Sequence, residues 1–483
     1  MEDKAFRSLP WAFLSNIAKK LLTLGTTVVL ARLVAPDDFG VVVAGTVAIN
    51  SLTALSDLGV GGVLVVRQEL SHRDKRCILG VMLVMSAVTS LAIAIAAPYI
   101  AGFFGDQRIT AVLRVLLVTE VLGGFSWFYE NLLTRELEFR KRFRCEVAQA
   151  VALGATSIVL AAQGLGYWAV VVGTLAGWAT YTAALMVTTP YRVWPAFDPR
   201  AVRELIRQGK GFNFQGAVSV LQSSADYLAV GRFLGSGQLG FYSMGYRMAE
   251  QGYWAVAEVV GRVSIPAFAR MRHRGEDVTA AFVRTLQLVA LLCCPFGLVL
   301  SGVAAPFTQA IFGDRWLPMA APLAVLGLWA AARPIQYTMS WYLASQDRAG
   351  LEATGSLSLL VVHVPLLFLA AFSGGIVAVA WVMLGHSIAS AVVYGCILRR
   401  WMGVALRRQL SAIRSVVIAG GLSWIATRVV AEIDALGPAT ALVTGAAAGL
   451  GVYGLVLVVL EPAALRDLRA KGARLRPVRS EAS

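Results

Sequence analysis

Six ionisable residues stand deep inside long apolar runs: Lys20, Glu120, Asp226, Arg247, Glu250 and Arg333. A charge at membrane depth is costly, so it faces a bundle interior, a water-filled path or an opposite charge. The cations Lys20, Arg247 and Arg333 suit an anionic substrate group such as a phosphate, which a guanidinium binds through two parallel hydrogen bonds. With Glu250 they form the candidate substrate-binding set. Glu250 and Arg247 stand three apart on one helix face, so mutual neutralisation is the competing role. Arg333 precedes Pro334, where a helix break and a freed carbonyl are expected. Glu120 and Asp226 are the candidates for carrying a coupling proton or cation.

Closer to an interface lie Asn16, Lys19, Arg32, Asp57, Arg114, Arg232, Glu258 and Arg284. Arg32 and Arg232 sit at the outer ends of equivalent spans, where a long cation snorkels to head groups or caps a turn. Asp57 and Arg284 lie near inner ends, within reach of loop cations. The aromatic residues Trp127, Phe128, Tyr129, Tyr253, Trp254, Trp341 and Tyr342 either stack on sugars or form interfacial belts, the commoner role.

No catalytic residue is assigned, because the motifs that carry reactions are missing. There is no phosphate-binding Gly-x4-Gly-Lys-Ser/Thr loop and no Gly-x-Ser-x-Gly elbow. His72, His273, His363 and His386 form no metal-ligand pattern, so neither a metal nor another cofactor is expected. A membrane glycosyltransferase or polymerase would need carboxylates or a sizeable domain on the outer face, and the short outer loops hold neither. The expectation is a protein that is not an enzyme. The five cysteines Cys77, Cys145, Cys293, Cys294 and Cys396 follow no ligand spacing and are expected as free thiols.

The elements that position these residues follow from composition. The chain is 57% hydrophobic and 15% charged, well below the charge of a soluble domain. Apolar runs of about 18 residues or more recur from end to end, each long enough to cross the hydrocarbon core as a helix. The expected fold is an all-α polytopic membrane protein with about fourteen transmembrane helices. They fall near 11–34, 39–59, 77–100, 110–132, 146–163, 166–187, 211–232, 238–261, 280–304, 319–343, 354–372, 375–397, 412–431 and 438–460. Alternate loops are rich in Lys and Arg, which puts them and both termini in the cytoplasm and the protein in the inner (plasma) membrane. The net charge of +15 therefore reports topology, and no nucleic-acid partner is expected.

The chain also repeats itself. Ala31-Arg32-Leu33-Val34, four turn residues and Phe39-Gly40 return two hundred positions later as Gly231-Arg232-Phe233-Leu234, four residues and Leu239-Gly240. Ala161-Ala162 with Gly166, Ala169 and Val170 returns as Ala370-Ala371 with Gly375, Ala378 and Val379. Echoes that keep order and spacing indicate two similar halves. The expected division is an N-lobe at 1–187, a cytoplasmic linker at 188–210, a C-lobe at 211–397, an extra helix pair at 398–460 and a basic tail at 461–483. Within the linker, Asp198-Pro199 opens an amphipathic helix whose Arg203 and Arg207 lie toward anionic membrane lipids.

Several of these stretches resemble one family. Ala31 to Gly40, Asp57-Leu58-Gly59, Leu132 to Arg140 and Gly164-Leu165-Gly166-Tyr167-Trp168-Ala169-Val170 look like polysaccharide-export flippase signatures. So do Asp226 to Gly235, running on to Leu239-Gly240-Phe241-Tyr242, and Phe312-Gly313-Asp314-Arg315-Trp316. Over nearly its full length the chain resembles the Wzx-type oligosaccharide branch of the multidrug/oligosaccharidyl-lipid/polysaccharide flippase superfamily. The resemblance implies two six-span lobes forming a V, with cavity walls from spans one, two, seven and eight. It implies translocation of an undecaprenyl-pyrophosphate-linked oligosaccharide by alternating access, with a cationic cavity for the pyrophosphate and the polysaccharide polymerase and export machinery as partners. The cavity role falls on Lys20 and Arg247, then Arg333, while Arg32, Asp57, Asp226 and Arg232 match motifs of packing or gating. Lipid II flippases and multidrug exporters of the same superfamily are the alternatives.

Overall fold

The computed structural model describes residues 19–56, 71–136, 138–189, 193–346, 349–433, 435 and 437–461. At 54–56, 199–219, 254–256, 258–259, 262 and 349 it describes the backbone alone. Asn16, Asp57 and the basic tail therefore lie outside the described residues, as do the side chains of Arg203, Arg207, Trp254 and Glu258. All regular structure among the described residues is helical. In chain order the helices are α1 (19–33), α2 (Pro36–Ser56), α3 (His72–Phe104), α4 (Arg108–Arg135), α5 (Phe139–Ala162), α6 (Tyr167–Thr188) and α7 (Pro199–His273). Then follow α8 (Val278–Gly302), α9 (Ala304–Phe312), a 3-10 turn (Asp314–Met319), α10 (Ala320–Ser345), α11 (Ala349–Met402), α12 (Leu406–Ala431) and α13 (Pro438–Leu460). The expected spans fall on helix wherever their residues are described, and the fold is that of a polytopic helical membrane protein.

Local chemistry explains the ends. Ser71 caps α3 by accepting from the Asp74 amide, while the Asp74 carboxylate accepts from the Ser71 amide in return. Asp277 caps α8 through the amides of Thr279 and Ala280. Two long helices are hairpins in disguise. In α7, Gly235 adopts φ 80°, and Tyr242 reaches back to Asp226 across the fold. In α11, Gly375 adopts φ 71°. Gly166, its counterpart in the sequence echo, also has positive φ, at 54°, so the echo is a repeated left-handed turn that a side chain would strain.

Two expectations change. Pro334 does not break α10, which runs from Ala320 through Ser345 with Trp329 and Tyr342 buried on either side of the proline. The linker helix is not separate from span seven, because α7 is helical without interruption from Pro199 to the Gly235 break.

By contacts the chain forms two units, one reaching Ser243 and including Leu367–Ile376, the other Met244–Leu366 with Val377 onward. Unit 1 is built around Ile78, Leu79, Phe128, Tyr129, Leu132, Leu133, Tyr181 and Leu185. Unit 2 has one core around Phe268, Phe282, Leu286, Tyr342 and Leu398, and a second in which α12 and α13 pack on α8 and α10 through Val416, Ala419, Tyr453 and Leu457. Tyr453 donates to the Leu291 carbonyl at 3.0 Å, fixing the extra pair to α8. Phe128, Tyr129, Tyr253 and Tyr342 are buried in these interiors and form no belt. Among the described residues of the quoted set only Trp127 is clearly exposed, at 45%. All five cysteines are free, and only Cys396 is exposed.

Candidate functional site

The repeated turns meet in unit 1. Gly40 near the start of α2 lies against the Ser236 carbonyl and the Gly240 amide, while Gly240 lies against the Pro36 carbonyl and the Gly40 amide. The contact is reciprocal: residue 36 stands to 240 as 236 stands to 40. A Cβ at either glycine would overlap backbone, so the approach requires hydrogen on both sides.

Around this contact one guanidinium gathers the turns. Arg108, the first residue of α4, bonds Asp106 through Nη2 at 2.6 Å and through Nε at 3.0 Å. Its Nη2 also bonds Asp37, and its Nη1 reaches Asp38 at 3.5 Å. Ser236 donates to Asp106 at 2.8 Å, and the Arg108 guanidinium lies 6.0 Å from the Tyr167 ring centre. The turns α1–α2, α3–α4 and α5–α6 and the Gly235 hairpin thus converge on Arg108. Burial pushes the Asp106 carboxyl up, but bonds from Arg108 and Ser236 outweigh it and leave it below its usual value of 3.8. Arg232 belongs to the same end: it donates to the Phe103 carbonyl at 2.8 Å and lies over the Phe103 ring, capping the last turn of α3. Arg32 is exposed there as well.

In the sequence alone Arg108, Asp37, Asp38 and Asp106 do not stand out as site residues. The signal was the acidic pair inside the repeated turn, whose second copy offers Gly237 and Gln238 in place of two carboxylates. The opposite end of unit 1 has its own cluster: Arg142 bonds Glu130 at 2.6 Å and Glu146 at 2.9 Å, Tyr181 donates to Glu130 at 3.0 Å, and Lys19 pairs with Glu146 at 3.3 Å.

The deep residues fall in both units. In unit 1, Lys20 is half-buried on α1, and Glu120 accepts from Thr53 of α2 at 2.9 Å. Asp226 is 1% exposed and accepts from Tyr242 at 2.8 Å, with the Tyr227 ring edge-on to Tyr242. In unit 2, Arg247 is exposed and makes no ion pair among the described residues, so Glu250, half-buried one turn on, does not neutralise it.

Arg333 has the most developed setting. Its guanidinium lies 5.0 Å from the ring centres of both Trp329 and Tyr337, and Nη2 donates to the Tyr337 hydroxyl at 3.0 Å. Trp329 in turn packs on Tyr246 and Tyr253. No carboxylate among the described residues comes within ion-pair reach of Arg333, and neither its Nε nor the indole nitrogen of Trp329 has a hydrogen-bond partner there. A desolvated cation held by π faces, with donors to spare, is suited to an anion. No group of three metal-ligating side chains occurs among the described residues.

A family model described as polysaccharide biosynthesis protein matches residues 29–321, a stretch that contains the turn cluster and Arg247 and stops before Arg333. The lipopolysaccharide biosynthesis protein WzxC of Escherichia coli (strain K12) is 24% identical over 337 residues, covering 68% of this chain and 68% of that protein. The succinoglycan biosynthesis transport protein ExoT of Rhizobium meliloti (strain 1021) is 24% identical over 339 residues, covering 70% and 68%. Among solved structures, a lipid II flippase, MurJ, in an inward closed conformation superposes with a TM-score of 0.78 at 12% identity, covering 95% of this chain and 99% of that one. At that identity the likeness is one of fold.

Proposed function

The chain belongs to the family of polysaccharide biosynthesis proteins, and from that membership we propose that it is a Wzx-type flippase. Its cargo is an undecaprenyl-pyrophosphate-linked oligosaccharide, which it moves across the cytoplasmic membrane by alternating access. The observation that carries the reading is Arg333: a cation without a counter-carboxylate among the described residues, on aromatic faces at membrane depth, within a family of polysaccharide proteins. Lys20 and Arg247 are read as further phosphate contacts on their spans. WzxC and ExoT, named for lipopolysaccharide and succinoglycan biosynthesis, support a glycan precursor as cargo.

The Lys/Arg-rich loops support a reading with both termini in the cytoplasm and the Arg108 cluster at the outer face. Outward release then requires the Gly40–Gly240 contact to part. The ion pairs around Arg108 are partly exposed, so each is worth only about 0.2–1 kcal/mol and can be broken at modest cost. Glu120 and Asp226 are each engaged by a hydroxyl, and we read them as holding their helices rather than exchanging an ion. A drug exporter for cations would want those acids open and would be opposed by Arg333. No chemical step is assigned to the protein.

Depleting the protein from cells and assaying lipid-linked sugar in each leaflet tests the reading. Accumulation on the cytoplasmic leaflet is expected, and the attached glycan names the cargo. Normal delivery to the outer leaflet would overturn the flippase reading and direct attention to cation efflux.

A further inference from the structure

The imidazoles of His363 and His386 stack with ring centres 4.0 Å apart and planes 28° from parallel. They lie on the two arms of α11, which fold back at Gly375. His363 is 4% exposed, and its Nδ1 has no hydrogen-bond partner among the described residues. His386 is half-buried, with Ser390 at 3.5 Å from its Nε2. A pair of phenylalanines would fill this volume without burying polar nitrogen, so packing does not explain the imidazoles.

Two imidazolium charges this close repel by about 4 kcal/mol even at an effective dielectric of 20, so the rings hold one proton or none. The charge that reaches both rings is that of Arg333 on α10, and His386 adds its own effect at His363. Gln336 accepts from Ser387 at 3.2 Å and fastens α10 against the second arm beside His386. Tyr337 is engaged by Arg333, and Glu352, the acidic residue of the first arm, accepts from Ser340 at 3.1 Å.

We propose that His363 and His386 form a one-proton site that couples transport to protons, and that Arg333 links its occupancy to the anionic headgroup of the cargo. The inference rests on the flippase reading for its cargo. A bare Arg333 repels a proton from the pair; an anion on the guanidinium cancels that repulsion and lets the pair protonate. Linkage requires the converse, so a protonated pair strengthens anion binding by the same factor. The only bond made is N–H, on an imidazole nitrogen that takes its proton from bulk water.

The chain has four histidines, and His72 and His273 are both exposed and outside the proposed machinery. H72Q/H273Q protein labelled with 15N-histidine in lipid nanodiscs therefore reports the pair alone. Titration from about pH 8 to pH 3 should show one proton taken up by two rings. Sulfate, a dianion that does not titrate in this range, should raise the midpoint by about one unit, a tenfold coupling, and R333Q should abolish that rise. Two rings protonating independently, or a sulfate shift that persists in R333Q, would overturn the proposal. In vesicles, flipping by the unaltered protein should respond to a pH gradient, and H363Q/H386Q should flip without that response. Flipping that ignores the gradient in the unaltered protein refutes the coupling and spares the flippase reading. No flipping of a lipid-linked oligosaccharide refutes the flippase reading, and the titration still decides the proton site.

Discussion

Arg333 and Asp106 show how differently two charges can be placed. Arg333 gains from aromatic faces and one hydroxyl, so its charge is available to a ligand. R333Q keeps much of the volume and loses the charge; a charge-assisted contact is worth about 1.5–3 kcal/mol, so transport should fall roughly tenfold to a hundredfold with membrane insertion unchanged. R333K should recover only part, because an ammonium lacks the planar fork. Unchanged transport in R333Q would remove the residue from the site. Asp106 is instead consumed by its partners. Because its folded-state carboxyl lies below 3.8, it stabilises the fold fully above that value and loses the contribution as pH falls through the lower folded value. Thermal midpoints should therefore drop as buffers are taken from about pH 5 toward pH 3, and D106N should flatten that part of the curve. The deep cations were legible in the sequence because an apolar context makes a charge conspicuous. The histidine pair was not, since the positions 363 and 386 meet only through the hairpin at Gly375. Nor was Arg108, which in sequence has only Asp106 beside it and in space has Asp37 and Asp38 as well.

At the scale of elements, the repeat was the most legible feature, and its meaning was only half visible. Periodic apolar runs placed the helices, and the echo of Gly166 in Gly375 marked two turns with positive φ. What the echo of Gly40 in Gly240 did not disclose is that the two copies touch each other. Both copies lie in the first unit, which by contacts reaches Ser243. Pro334 misled for a related reason: local propensity argues for a break, but Trp329 and Tyr342 are buried on either side of it and hold one helix. The glycine contact makes a sharp prediction. G40A and G240A should each cost about 1–3 kcal/mol of the closed contact, by forcing backbone apart. The double variant should cost little more than either single, because one displacement relieves both overlaps. Additive losses in thermal unfolding of the purified protein would show that the glycines serve separate contacts.

For the whole molecule, transport by alternating access needs an end that closes firmly and opens cheaply, and the Arg108 cluster has the composition for both. Three carboxylates around one guanidinium leave the cluster short of positive charge, so its cohesion depends on a single residue. Removing that residue leaves Asp37, Asp38 and Asp106 to repel one another across the very turns they now join. R108Q should therefore favour the open form rather than simply weaken the fold. Gly237 offers a reporter, since a side chain there would meet only Asp37, at 3.7 Å, and the backbone is not in the left-handed region. In a background with the exposed Cys396 replaced by serine, G237C should react slowly with a membrane-impermeant maleimide added outside. Adding R108Q should speed labelling several-fold, as should high salt in the unaltered cluster, because exposed ion pairs are screened. Transport should fall in R108Q even as this end becomes more accessible, since a carrier held open cannot return for cargo. Equal labelling rates with and without Arg108 would mean that the glycine contact alone keeps the end shut.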